Sequence, residues 1–174
     1  MAEGELFTHI IEKGSFSESD AREIITQILG GLQYLHDNGI VHRDLKVSKW
    51  RSFRFCSSFR LCLFIVLQPE NLLCSDNGTV VISDFGLSKF FERGQLLNTR
   101  CGTMGYTAPE IVIGDPYTPK VDIWAVGVIT YILLSGIAPF YGSEHEVFEQ
   151  ISHCQYDFPP EYFSQISPQG TQSF

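Results

Sequence analysis

The chain has 174 residues, of which 44% are hydrophobic, 13% aromatic and 18% charged. That suits one ordinary domain, which buries roughly 70% of the surface its unfolded chain exposes, and it excludes a disordered polymer. Twelve basic against twenty acidic residues leave a net charge of −8, a poor match to the basic face that nucleic acid requires, so no nucleic-acid partner is expected. The five cysteines are odd in number and form no C-x-x-C pair. A disulfide framework or zinc site is therefore not expected, and a reducing compartment, cytoplasmic or nuclear, fits better. The opening Met-Ala-Glu-Gly-Glu lacks the positive segment and apolar run of a signal peptide.

In chain order, Glu3–Lys13 reads as a short helix with Leu6, Ile10 and Ile11 on one side. Ser17-Glu-Ser-Asp20 has the form of a capping box, and Ala21, Ile24, Ile25, Ile28, Leu32 and Leu35 follow at helical spacing. Asn38-Gly39 ends that helix, and Ile40-Val41 is a short extended piece. Leu72-Leu73 and Val80–Ile82 look like two strands joined by the turn Asp76-Asn-Gly78. Pro119 suits the first turn of a helix running to about Ser135. Apolar residues cover most sides of that helix, which belongs at the centre of a core. The apolar stretch Val121–Phe140 is interrupted by Asp122, Gly127, Gly136 and Pro139, too soon to span a bilayer. A weaker helix covers about Glu144–His153. The expected fold class is mainly α with one small β-hairpin.

One stretch differs from the rest. Residues 47–68 carry Lys49, Arg51, Arg54 and Arg60 and no acid, so the remainder of the chain has a net charge of −12. The stretch also holds Trp50, four of the fourteen phenylalanines and the unbroken apolar run Leu61–Leu67. Such a run suits a buried strand or an aggregating segment, and basic residues beside apolar ones could suit a membrane surface; a membrane partner is not the expectation here.

Five clusters could carry chemistry: His42-Arg-Asp-Leu-Lys46, Pro69-Glu-Asn71, Asp84-Phe-Gly86, Gly102-Thr-Met-Gly-Tyr-Thr-Ala-Pro-Glu110 and Asp122-Ile-Trp-Ala-Val-Gly127. Each alone is weak. An acid and a lysine two residues apart on a loop are often just a solvated surface, and Asp-Phe-Gly is a common loop tripeptide. In this order and at this spacing they resemble the second half of a protein kinase catalytic domain. The nearest subgroup is the calcium/calmodulin-dependent serine/threonine kinases, from Gly4-Glu-Leu-Phe7, Ile40–Asp44, Ile82–Lys89 and Gly127–Leu134.

The resemblance implies the large (C-terminal) lobe of the kinase fold and transfer of the ATP γ-phosphate to hydroxyls of protein substrates. Phosphoryl transfer needs positioning and charge neutralisation more than covalent chemistry. Asp44 would accept or orient the substrate hydroxyl proton, and Lys46 would neutralise the phosphate in flight. Asn71 and Asp84 would hold Mg2+, which prefers hard oxygen ligands, and Gly86 would let the backbone turn sharply after the metal-binding acid. Glu5 would reach the ribose, with Leu73 and Ser83 near the adenine; burial in the core also accounts for Leu73. Thr99 sits where related kinases are phosphorylated, with Arg43 placed to pair with the phosphate. Thr103 would hydrogen-bond both Asp44 and Lys46, Asp122 would brace the catalytic loop, and Trp124 reads as packing. Met104 stands where relatives usually have proline.

The likeness covers Gly4 to about Pro168 apart from residues 47–68, giving a partial kinase domain over 1–168 with an insertion at 47–68 and an unrelated tail at 169–174. The fold is thus expected to be incomplete at both ends, without the Gly-rich loop or the lysine–glutamate pair of the smaller lobe. No calmodulin-binding segment is recognisable, so calmodulin could act only through a segment absent here. Twenty-six residues separate Asp44 from Asn71, where the family spacing leaves four. A longer loop is expected to hold Asn71 less firmly, and small displacements at a reacting centre are expensive. Valine codons begin GT and a glutamine codon can end AG, so an in-frame retained intron fits Val47–Gln68. Glu110 lacks the arginine that pairs with it in the family, and exposed apolar surface is expected. Activity of this form is therefore in doubt, the alternative being a non-catalytic fragment that competes for partners.

Overall fold

The computed structural model describes residues 15–47, 71–74 and 78–172. The predicted helix Glu3–Lys13 with Glu5, residues 48–68 of the basic–apolar stretch, and Asp76-Asn77 of the predicted turn lie outside the described residues.

The elements follow from local chemistry. Helix α1, Glu18–Asp37, begins where the Ser17 side chain accepts the Asp20 N–H, satisfying one of the orphan donors of a helix start. It buries Ala21, Ile28, Leu32 and Leu35 along one stripe. Asn38 caps it, and Gly39 at φ 70° turns the chain into strand β1, Ile40–Val41. Strands β2, Leu72–Cys74, and β3, Val80–Ile82, form the predicted antiparallel hairpin, with Leu72 opposite Ile82 and Leu73 opposite Val81. The side chains alternate in a pleated strand: Leu72 is buried while Leu73 is 37% exposed. Burial therefore does not account for Leu73, contrary to one sequence-based expectation.

A second two-stranded ladder departs from the single predicted hairpin. Strand β1 pairs antiparallel with β4, Lys89–Phe90, in the register Ile40–Phe90 and Val41–Lys89. Both β4 residues are exposed, so no alternation marks them in the sequence. A 3-10 turn at Met104–Tyr106 leads to α2, Pro109–Ile113, which ends at Gly114 in the left-handed conformation.

Helix α3, Val121–Ser135, is the core. Eleven of its fifteen residues are buried, as expected of a helix apolar all round. Its central residues Ala125, Val126, Ile129, Leu133 and Leu134 pack against Ile28, Leu32 and Leu35 of α1 and Leu72 of β2. Trp124 stacks on Phe140 with ring centroids 5.9 Å apart, in keeping with a packing role. Helix α4, Glu144–Ser152, starts on a complete capping box between Ser143 and Glu146. Two short helices, α5 at Pro160–Phe163 and α6 at Pro168–Gln172, close the described chain. Among the described residues no helix is long and apolar enough to cross a membrane.

Candidate active site

The loop after β1 is anchored from below by Asp122, at the buried start of α3. Its carboxylate, 1% exposed, accepts the backbone N–H groups of His42 at 2.9 Å and Arg43 at 2.8 Å. His36 of α1 approaches the same carboxylate at 2.8 Å through Nε2. A buried acid is tolerable when its lone pairs are met by donors. Here those donors are the backbone of the loop itself, which fixes the loop's path. Arg43 is held at φ 71°, a conformation that a non-glycine residue keeps only where the surroundings impose it. His42 is fully buried. Its Nδ1 accepts the Asp44 N–H at 3.4 Å, so Nε2 carries the proton that meets Ser83 O at 3.0 Å.

Above this base, four side chains converge. Lys46 Nζ lies 3.0 Å from Asp44 Oδ2 and donates to Thr103 Oγ1 at 3.0 Å. The Thr103 hydroxyl donates in turn to Asp44 Oδ1 at 2.7 Å. Asn71 Nδ2 reaches Asp44 Oδ2 at 3.2 Å and also donates to the Asp44 carbonyl. Asn71 is therefore seated on Asp44 although 27 positions separate them, and the expected looseness between the two is not what the structure shows. Two contacts of Asn71, its side chain on the loop and its carbonyl accepting the Ser83 N–H at 2.9 Å, replace what a short covalent link would enforce. Asp44 and Lys46 are 11% and 19% exposed at their side chains, half-sheltered from water, so a charge placed beside them is weakly screened.

Asp84 follows β3 and differs from both acids. It is exposed, its φ is 58°, and its Oδ1 accepts the Gly86 N–H at 3.1 Å. The sequence reading gave the sharp turn to Gly86, but Asp84 itself takes the left-handed conformation. Gly86 is kept small instead, since a Cβ there would fall 3.1 Å from Asp84 Oδ1. Leu73 lies in β2, and Ser83 directly follows β3, where its carbonyl meets His42. Glu5 lies outside the described residues.

The segment from Gly86 to Ala108 returns over the loop. Arg43 does not reach the side chain of Thr99 directly: Nε donates to Leu87 O at 2.7 Å and Nη1 to the Tyr117 hydroxyl at 3.2 Å. The Tyr117 hydroxyl donates to Thr99 O at 2.8 Å. Thr99 itself is exposed. Glu110 is half-buried, and no ion pair forms at it among the described residues. Sequence reasoning missed His36 and Tyr117. His36 sits in the last turn of α1, where a basic residue usually just meets the helix dipole, and Tyr117 reads as an ordinary apolar position after Pro116.

The groups that could face a cation are the Asn71 side-chain amide and the Asp84 carboxylate, both offering hard oxygens, and the Ser83–Asn71 backbone bond joins Asn71 to the residue before Asp84. No group of three or more His, Cys, Asp or Glu suited to a metal occurs among the described residues. Two oxygen ligands nevertheless fit an ion held mainly by a nucleotide's phosphates, which is how magnesium is usually bound.

The family model described as "Protein kinase domain" matches residues 1–49 and 52–172. A probable myosin light chain kinase of Dictyostelium discoideum is 45% identical over 168 residues, 94% of this chain and 42% of that protein. Calcium/calmodulin-dependent protein kinase type IV of Mus musculus is 45% identical over 169 residues, 94% of this chain and 31% of that protein. Calcium/calmodulin-dependent protein kinase type 1B of Homo sapiens is 44% identical over 168 residues, 94% of this chain and 42% of that protein. The chain thus spans between 31% and 42% of the length of these relatives.

Proposed function

Because the chain belongs to the protein kinase family, we propose that it is the large-lobe portion of a serine/threonine kinase that transfers the ATP γ-phosphate to protein hydroxyls. The single observation that carries this is the closed set Asp44, Lys46, Thr103 and Asn71. A carboxylate held by a hydroxyl and an ammonium is oriented to receive a proton from a substrate hydroxyl. Lys46, fixed 3.0 Å from Asp44, sets a positive charge where an entering phosphoryl group gains negative charge. Thr103 belongs to the returning segment, so the pair is set only when that segment is in place. Asn71 and Asp84 would hold Mg2+, which when bound neutralises phosphate charge and orients the nucleotide. Leu73, exposed on the hairpin, and Ser83 would flank the adenine.

Calmodulin enters this reading only through the subgroup resemblance and the names of the relatives, and control by it would need a segment outside this chain. Residues 47–68 are read as an insertion and 169–174 as a tail in a domain over 1–168; a cytoplasmic or nuclear site of action goes with the same reading. Amplifying the mature transcript across Lys46–Pro69 tests the insertion, since a form joining Lys46 directly to Pro69 is expected beside the long one.

The test of activity is transfer of radiolabelled phosphate from ATP and magnesium to a serine peptide. Transfer that disappears in Asp44→Asn and on chelating magnesium supports the reading. No transfer, with substrate protein still captured, would instead favour the non-catalytic fragment.

A further inference from the structure

The segment that carries Thr99 is stitched down at three points. Leu97 and Tyr117 exchange both backbone hydrogen bonds, at 2.8 and 2.7 Å. Arg100 Nη2 donates to Ile113 O at 2.6 Å, the last carbonyl of α2, where a cation meets the negative end of a helix. Gly114 makes room for that guanidinium, because a Cβ there would lie 2.0 Å from Nη2. The third point is Tyr117. Its side chain is 2% exposed, and its hydroxyl accepts from Arg43 and donates to the backbone carbonyl of Thr99.

We propose that Tyr117 is a positioning residue whose buried hydroxyl ties the Thr99 segment to Arg43 of the catalytic loop, so that the segment is ordered without an added phosphate. The contact on Thr99 is to its backbone, which makes the Thr99 side chain irrelevant to it. Burial pushes the Tyr117 hydroxyl above its ordinary range, against the pull of Arg43, so the phenol stays protonated and keeps its donor role at neutral pH. Three residues after Thr99, Gly102 at φ 112° packs its backbone on Arg43, leaving only 2.9 Å between an added Cβ and Arg43 O. Thr103 then completes the Asp44–Lys46 set, so a loosened segment would disturb that set as well. The inference rests on the kinase reading only for what is being positioned.

Hydrogen exchange on the full chain, unphosphorylated, tests it without requiring turnover. Tyr117→Phe keeps the ring and its packing but removes the hydroxyl. Exchange over residues 95–101 is expected to rise about tenfold, the order of effect of losing a buried, charge-linked hydrogen bond, with α1 still protected. Thr99→Ala is expected to leave exchange over 95–101 as it was. Unchanged exchange in Tyr117→Phe would overturn the proposal, as would a rise in Thr99→Ala equal to that in Tyr117→Phe. Should α1 also lose protection in Tyr117→Phe, Arg43→Gln decides, since the same rise over 95–101 is required of it and unchanged exchange sinks the idea. Where phosphate transfer is measurable, Tyr117→Phe should lower kcat with the KM for ATP unchanged, a split that a ring serving only to pack would not produce. A chain with no transfer but the expected exchange pattern would count against the kinase reading and leave the Tyr117 contact standing.

Discussion

Asp122, at the start of α3, and Asp84, just after β3, have completely different surroundings. Asp122 is 1% exposed and receives three hydrogen bonds, two from the backbone of the loop it supports. Asp84 is exposed and receives one, from Gly86 two residues away. The same side chain is therefore a buried brace in one place and an exposed carboxylate in the other. The underside of the loop rests on α3, whose Ile129 is fully buried. The upper side meets a hairpin whose Leu73 and Val81 are 37% and 50% exposed. Burial therefore ties Asp122 to the stability of the fold, whereas Asp84 carries no such load.

Removing the brace should have the largest effect. Asp122→Ala leaves two loop amides and His36 without their acceptor and opens space at the root of α3. Loss of one partner in a buried polar network costs roughly 3–5 kcal/mol. A denaturation midpoint by circular dichroism should fall accordingly, and a loss below about 1 kcal/mol would refute the brace. Next in size is the start of α1. Ser17→Ala removes the acceptor of the Asp20 N–H and should cost about 1 kcal/mol in the same measurement. Asp84→Asn should be near neutral, within about 0.5 kcal/mol, because its site is exposed. It should nevertheless abolish the heat of magnesium–nucleotide binding in calorimetry. If Asp84→Asn destabilised the fold as much as Asp122→Ala, the contrast between the two acids would be gone.

Much of the stable side was legible in the sequence, and less of the open side. The cap at Ser17, the stripe along α1 and the uniformly apolar α3 announce themselves because burial imposes a period on the residues concerned. The pairing of β1 with Lys89–Phe90 left no such trace, since two exposed residues need obey no pattern. The residues Asp44, Lys46, Thr103 and Asp122 could be named from the kinase resemblance that their motifs carry. Their convergence through specific donors could not, because hydrogen-bond geometry depends on how distant segments cross. Asn71 shows this most clearly. Chain length alone suggested a loosened residue, whereas side-chain and backbone contacts hold it on Asp44. Tyr117 and His36 were invisible for the same reason, as their partners lie on other elements.

The smallest expected effect concerns pH and contrasts a distant clamp with a local cap. The Glu18 carboxylate accepts the hydroxyl of Ser167 at 2.9 Å and also its backbone N–H, joining the start of α1 to a residue 149 positions away. Those bonds hold the Glu18 carboxyl below its ordinary value. At Glu146 the same lowering comes from the backbone and side chain of Ser143, three residues earlier. A carboxylate whose pKa is depressed in the fold adds stability that is complete above its unfolded value. That stability fades as the pH falls through the folded value. Glu146 is exposed and Glu18 only half-buried, so screening keeps each contribution small. Glu18→Gln and Glu146→Gln should each flatten part of the decline in Tm between about pH 5 and pH 3. They should differ in what else they change. Glu18→Gln releases the segment around Ser167, so exchange there should rise while α4 is unaffected, and Glu146→Gln should do the reverse. Equal exchange at both places in either variant would show that neither carboxylate holds its partner in solution.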